Sequence, residues 1–276
     1  MPVMSLARRF PVLAYFLLTF LLSWSIALLI ALPSLIHAEI PSRMTGILMF
    51  PAMLLGPSVS GILLTWLIDG RSGLRNLLER LRKWRIAARW YALLVLPPML
   101  VLAVLHLLKS TVSADFSPNL FYWGFLFGIP AGFLEEIGWT GYAYPKMLAK
   151  GGPLSSAVLL GIFWSLWHLP VINFLGASAP HGKYWLHFFL AFAFAMTAMR
   201  VLICWQYWHT HSVLLAQLIH MSSTGALVVF SPRVTPAGEA FWYAIYGCLL
   251  WTLVAFGWLS RKAWESRGRA DALGLQ

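Results

Sequence analysis

The chain has 276 residues, of which 60% are hydrophobic and 11% charged, and a formal net charge of +11. Soluble chains carry about 25% charged residues, and the shortfall here runs the whole length, which excludes a water-soluble globule and points to a single membrane domain over 1–276. The positive charge is not a nucleic-acid signal, because most Lys and Arg stand at the ends of apolar runs or in one loop, where membrane topology is set.

Arg8 and Arg9 precede an apolar run from about 11 to 33. A signal-peptide core is roughly 7 to 15 residues, so this run reads as a retained first span. A bilayer core about 30 Å thick needs roughly 20 apolar residues per helix. Runs of that kind fall at about 11–32, 45–68, 90–109, 119–145, 154–176, 184–206, 212–231 and 238–259. None alternates with the period of two of a barrel strand, and unbonded backbone groups are not tolerated in hydrocarbon. The expected fold is therefore all-α: a polytopic transmembrane helical bundle of about eight spans. With both termini cytoplasmic, all the Lys and Arg except Arg43, Lys109, Lys183 and Arg233 fall on the cytoplasmic side. That bias satisfies the positive-inside rule, and the expected location is multi-pass in the cell inner (plasma) membrane. The tail from about 262 to 276 is expected to be flexible, and Cys204 and Cys248, both within apolar runs, make no disulfide framework.

Between the second and third runs, the segment 71–89 places Leu74, Leu77, Leu78 and Leu81 on one helical stripe among basic residues. It is expected to lie as an amphipathic helix on the cytoplasmic membrane surface, as a topological anchor or as a docking surface for acidic lipids or substrates.

A charge at the centre of a span costs roughly 2.5 to 3.5 kcal/mol, so ionisable residues inside the runs are informative. Glu135, Glu136, His106, His168, His187, Arg200 and His220 qualify. His106 and His187 each stand alone near a run end and read as structural histidines with a partner. Glu135 and Glu136 sit together in GIPAGFLEEIGWTGYAYP, with a joint penalty on the order of 5 to 7 kcal/mol if charged and unpaired. Neighbours on a helix point about 100° apart, so one carboxylate is expected to face a cavity while the other is held structurally. A wet helix end marked by Gly138, Gly141 and Lys146 is the rival reading. Two further histidines inside runs speak against it: His168 in GIFWSLWHLP, with Trp164 one turn before, and His220 in LLAQLIHMSSTG, with Thr224 one turn after.

A carboxylate withdrawn from bulk water is a competent base for taking a proton from a water molecule. One histidine can orient that water, and a second, with a hydroxyl or amide one turn along, can donate to a developing oxyanion. Amide hydrolysis needs those parts. A di-iron or zinc site is the chemical rival, but no His-Glu-x-x-His and no Glu-x-x-His puts two ligands on one helical face. Neither a Gly-x-Ser-x-Gly nor a nearby cysteine supports nucleophilic catalysis.

These residues resemble the CPBP family of intramembrane glutamic endopeptidases, which includes the type II CAAX prenyl proteases and bacterial Abi proteins. The family's Glu-Glu-x-x-x-Arg is matched by Glu135, Glu136 and then Thr140. Its aromatic four residues before a His is matched by Trp164 and His168, and its His-x-x-x-Asn by His220 and Thr224. GPSVSGIL, WHLP and the stretch from Arg200 to His220 also look like bacterial members, and together these strings cover most of the chain.

The resemblance implies that Glu135 activates water, that His168 helps hold it, and that His220 with position 224 forms the oxyanion hole, with no metal and no other cofactor. Thr140 and Thr224 depart from the motif's arginine and asparagine. Arg200 is expected to supply the missing cation from another helix, and Ser223 is an alternative donor to Thr224. The expected function is a metal-independent endopeptidase within the bilayer, acting on a peptide or membrane-protein substrate. A non-catalytic scaffold or self-immunity protein on the same fold is the alternative. A solute transporter would show paired halves, and the sequence has no internal repeat.

Overall fold

The computed structural model describes residues 2–37, 39, 41–172 and 181–259. The expected flexible tail from about 262 lies outside them. The described residues are mostly helical, with no strand among them. A short α1 (Pro2–Arg9) leads into α2 (Pro11–Ile36), and α3 (Arg43–Leu64) continues through a π-helical turn, Thr65–Asp69, into α4 (Gly70–Leu81). A 3-10 segment, Ala88–Leu94, opens α5 (Leu96–Thr111). The next rod alternates between two helical forms: α6 (Phe125–Pro130), a π-turn Ala131–Glu135, α7 (Glu136–Gly138), a π-turn Trp139–Ala143 and α8 (Tyr144–Leu148). After it come α9 (Pro153–Trp167), α10 (Leu169–Ile172), α11 (Trp185–Thr210), α12 (Val213–Phe230) and α13 (Pro236–Leu259).

Six helices are long and apolar enough to cross a membrane: Pro11–Ile36, Met44–Leu81, Ala88–Thr111, Gly182–Thr210, Val213–Phe230 and Pro236–Gly257. Two of the eight expected spans therefore need correction. The run at 154–176 is interrupted at His168: a 15-residue helix ends at Trp167, α10 resumes at Leu169, and residues 173–176 lie outside the described ones. Fifteen residues at 1.5 Å each reach about 22 Å, short of a bilayer core, and Pro170 has no N–H to donate to the Leu166 carbonyl, so the α9 ladder cannot continue through it. The run at 119–145 enters its rod only at Phe125, and that rod carries both glutamates and two π-turns.

The surface helix expected over 71–89 is also shorter. The α-helix ends at Leu81 and a 3-10 segment begins only at Ala88, α4 is the extension of a span, and the leucine stripe divides, with Leu77 buried and Leu78 exposed.

Exposed apolar residues mark the outside of the bundle. On α2, Leu13, Leu17, Leu21 and Leu28 lie along one face and are all more than half exposed. In water such a stripe is an aggregation liability; on a membrane bundle it meets lipid chains.

The helices that carry the polar residues approach at backbone distance. A Cβ on Gly132 would meet the carbonyl oxygen of Gln217 and the amide nitrogen of Met221 on α12, and one on Gly161 would meet Thr197 on α11. Small residues at such crossings let backbones close up where no hydrophobic force drives helices together. Gly132→Ala is therefore expected to lower stability by about 1–3 kcal/mol through overpacking. Thermal unfolding in detergent measures this, and an unchanged midpoint would show that α12 can move aside.

Candidate active site

Glu135 ends the first π-turn and Glu136 opens α7. A π-turn shifts the backbone hydrogen-bond register, and side chains from other helices take up two of its carbonyls. Gln217 Nε2 donates to the Phe133 carbonyl at 2.7 Å, and Ser58 Oγ donates to the Leu134 carbonyl at 2.8 Å. These two polar residues fix the turn from α12 and α3; sequence reasoning passed over both, although each is a polar residue within an apolar run. The glutamates are 2% and 0% exposed, so the pair is not a wet helix end.

The two carboxylates have unequal partners. Arg200 on α11 donates through Nη1 to both oxygens of Glu136, at 2.8 Å each. His220 Nδ1 lies 2.7 Å from Glu136 Oε1, and the Thr140 hydroxyl donates to Oε2. Arg200 Nη1 also reaches Thr140 Oγ1 at 3.5 Å. Arg200 is fully buried, and its Nε and Nη2 have no partner among the described residues. Its guanidinium lies 4.1 Å from the centroid of the Trp164 ring, a cation–π contact that replaces part of the lost hydration.

Glu135 accepts one hydrogen bond among the described residues, from Trp164 Nε1 to Oε2 at 2.7 Å. Trp164 stands between the two histidines, its ring edge-on to His168 at 5.2 Å and to His220 at 5.1 Å. His168 Nδ1 is 2.7 Å from the Trp164 carbonyl. A carbonyl only accepts, so Nδ1 carries the hydrogen and Nε2 of the neutral ring is left as an acceptor. The same logic at His220, where the partner is a carboxylate, puts a hydrogen on Nδ1 and leaves Nε2 available for another group.

The fold thus brings together Glu135, Glu136, Thr140, Trp164, His168, Arg200 and His220. Thr224 lies half-buried one turn beyond His220 on α12 and makes no side-chain hydrogen bond among the described residues. Ser223 is buried, and its side chain meets Tyr246 on α13. His106 and His187 are exposed and stand apart from the cluster, the latter in ring contact with Tyr184. Among the described residues, no three or more His, Cys, Asp or Glu are grouped so as to hold a metal ion.

Comparison with known proteins finds matches over the segment that carries this cluster. Residues 117–225 match the model of the family "Type II CAAX prenyl endopeptidase Rce1-like", a stretch that contains all seven clustered residues. CAAX prenyl protease 2 of Methanococcus maripaludis is 36% identical over 115 residues, an alignment covering 39% of this chain and 39% of that protein. The chain therefore matches well under half the length of that curated relative. The match is also narrower than the strings noted in the sequence, since GPSVSGIL lies outside 117–225.

Proposed function

We propose that this chain, whose residues 117–225 match a CAAX prenyl endopeptidase family model, is an endopeptidase embedded in the membrane, with Glu135 as general base and no metal. The observation that carries the reading is the unequal partnering of the two glutamates. Glu136 has Arg200, His220 and Thr140 as partners, while Glu135 keeps one carboxylate oxygen without a hydrogen bond among the described residues.

In this mechanism a water molecule gives a proton to Glu135 while hydrogen-bonding to His168 Nε2, and its oxygen adds to the scissile carbonyl. The carbonyl oxygen becomes an oxyanion, stabilised by the Thr224 hydroxyl and by the His220 ring one turn before it. Glu136 holds the orientation of His220 through Nδ1. Glu135 then passes its proton to the leaving amine as the C–N bond breaks. The substrate is a peptide or membrane protein presented within the bilayer, with the cationic end of the bundle towards the cytoplasm and the inner membrane as the site of action. The name of the archaeal relative makes a prenylated C-terminal peptide the first candidate to try.

A threonine hydroxyl is a shorter donor than the asparagine amide of the family motif. Loss of one oxyanion donor costs about 10²–10³ in rate, so Thr224→Asn is expected to raise kcat and Thr224→Val to lower it, with KM little changed. Steady-state cleavage kinetics check both variants.

The substitutions at Thr140 and Thr224 also favour a second reading, a non-catalytic scaffold or self-immunity protein on this fold. Incubating the purified, lipid-reconstituted protein with a diverse peptide library that includes prenylated peptides, with a chelator present and mass-spectrometric readout, separates the two. Cleavage that survives the chelator supports the protease, cleavage that the chelator abolishes would return the metal reading, and no cleavage supports the scaffold.

A further inference from the structure

His168 stands at a broken helix end, and where its ring points depends on how that end is held. The last four carbonyls of a helix have no partner within it. At the end of α9 the His168 ring takes one of them, donating through Nδ1 to the Trp164 carbonyl at 2.7 Å, and the His168 amide donates to the Ser165 carbonyl at 3.2 Å. In a continuous helix the Trp167 carbonyl would receive the Val171 amide. Here the Val171 and Ile172 amides both turn to the His168 carbonyl instead, at 3.0 Å each. The Trp167 carbonyl is met from another helix: Trp24 on α2 donates to it through Nε1 at 3.0 Å.

That carbonyl is the one that bears on His168. Its oxygen and the His168 amide nitrogen belong to the same planar peptide, so a donor that fixes the oxygen also fixes the bond about which the His168 side chain swings. The ring is enclosed by edge contacts with Trp164 at 5.2 Å, Trp167 at 4.8 Å and Phe192 at 5.4 Å. Rotation of the peptide would carry the ring out of this enclosure and away from the Trp164 carbonyl.

Trp24 is itself held in place. Its chain neighbour Ser23 is buried and donates to the Met53 carbonyl on α3 at 2.7 Å, and a Cβ on Gly56 would collide with Ser23 Oγ, so α2 and α3 meet here at backbone distance. The indole packs against Phe20 at 5.1 Å. A mere anchor between α2 and α9 needs only apolar packing, whereas this contact is a single directed donor on the peptide that carries His168. α2 also lies outside residues 117–225, the stretch that matches the family model.

We propose that Trp24 is a positioning residue for peptide hydrolysis: through the Trp167–His168 peptide it holds the His168 ring with Nε2 turned to the water that Glu135 activates. The role rests on the endopeptidase reading. Trp24 acts on the histidine and not on the reacting atoms, and it extends the working site to a helix that the matched segment does not include.

The test compares Trp24→Phe with Trp24→His in the full-length protein reconstituted in lipid. Phenylalanine keeps a ring and loses the donor. Histidine keeps a donor and loses bulk, because the Nε2 of its five-membered ring takes the place of the indole Nε1. Positioning predicts a kcat lowered about tenfold in Trp24→Phe with KM little changed, and most of that loss recovered in Trp24→His. Packing alone predicts that phenylalanine is the better replacement. No recovery with histidine, or a wild-type kcat in Trp24→Phe, would overturn the inference. A second readout needs no turnover: the ring-nitrogen NMR signals of His168, assigned by their loss in His168→Gln. They are expected to report one Nδ1–H tautomer in the wild type and in Trp24→His, and an average of two in Trp24→Phe. If the wild type cleaves no peptide, the endopeptidase reading fails and these signals alone decide the contact, with identical signals in all three proteins overturning it.

Discussion

Glu135→Gln is expected to lower the cleavage rate by about 10²–10⁴-fold, the contribution typical of a general base, while leaving the protein folded. The amide is close to the carboxylate in shape, and its oxygen can still accept the hydrogen bond from Trp164 Nε1. What it lacks is the capacity to take a proton from water. Glu136→Gln is the contrasting variant. It removes the carboxylate that answers both Arg200 and His220, so its first expected effect is loss of stability, with activity falling as His220 loses its orientation. Cleavage rate and thermal midpoint measured side by side for the two variants decide the assignment. A Glu135→Gln protein that cleaves at the wild-type rate would remove Glu135 from the chemistry, and a stable but inactive Glu136→Gln protein would exchange the two roles.

The sequence carried the six long spans in the lengths of its apolar runs, and it carried the site in the spacing of charged and aromatic residues within them. Trp164 and His168 are one turn apart on any helix, so their proximity needed no tertiary knowledge. Other features are tertiary. The end of α9 at Trp167 depends on where a proline-linked break falls, and apolar counting does not register such a break. The π-turn that ends at Glu135 is held by Gln217 and Ser58 from distant helices, so no local propensity announces it. Nor does periodicity say which way an isolated residue faces: Ser223 adjoins the site in sequence yet meets Tyr246, and Leu78 falls on the apolar stripe of α4 yet is exposed. The pairing of Arg200 with Glu136 was accessible only as an argument of charge balance, because 64 residues separate them.

That pairing makes Arg200→Ala the substitution with the largest expected effect on stability, about 3–5 kcal/mol. It leaves the fully buried Glu136 carboxylate without its cation, held only by His220 and Thr140, and removing one partner of a buried pair costs far more than the pair contributes. If this is the mechanism, the cost belongs to the unanswered charge. Arg200→Ala combined with Glu136→Gln should then be more stable than the sum of the single losses, which a double-mutant cycle of unfolding free energies measures directly. Thr140→Arg adds a second arm. Position 140 is one turn from Glu136 on the same rod, and truncating Arg200 vacates space beside the Thr140 hydroxyl. In the Arg200→Ala background, an arginine at 140 should restore cleavage by neutralising Glu136 and re-orienting His220. Stability should return only in part, because a cation on the glutamate's own helix no longer ties that helix to α11. Recovery of neither property would mean that Arg200 acts through its contact with Trp164 rather than through its charge on Glu136.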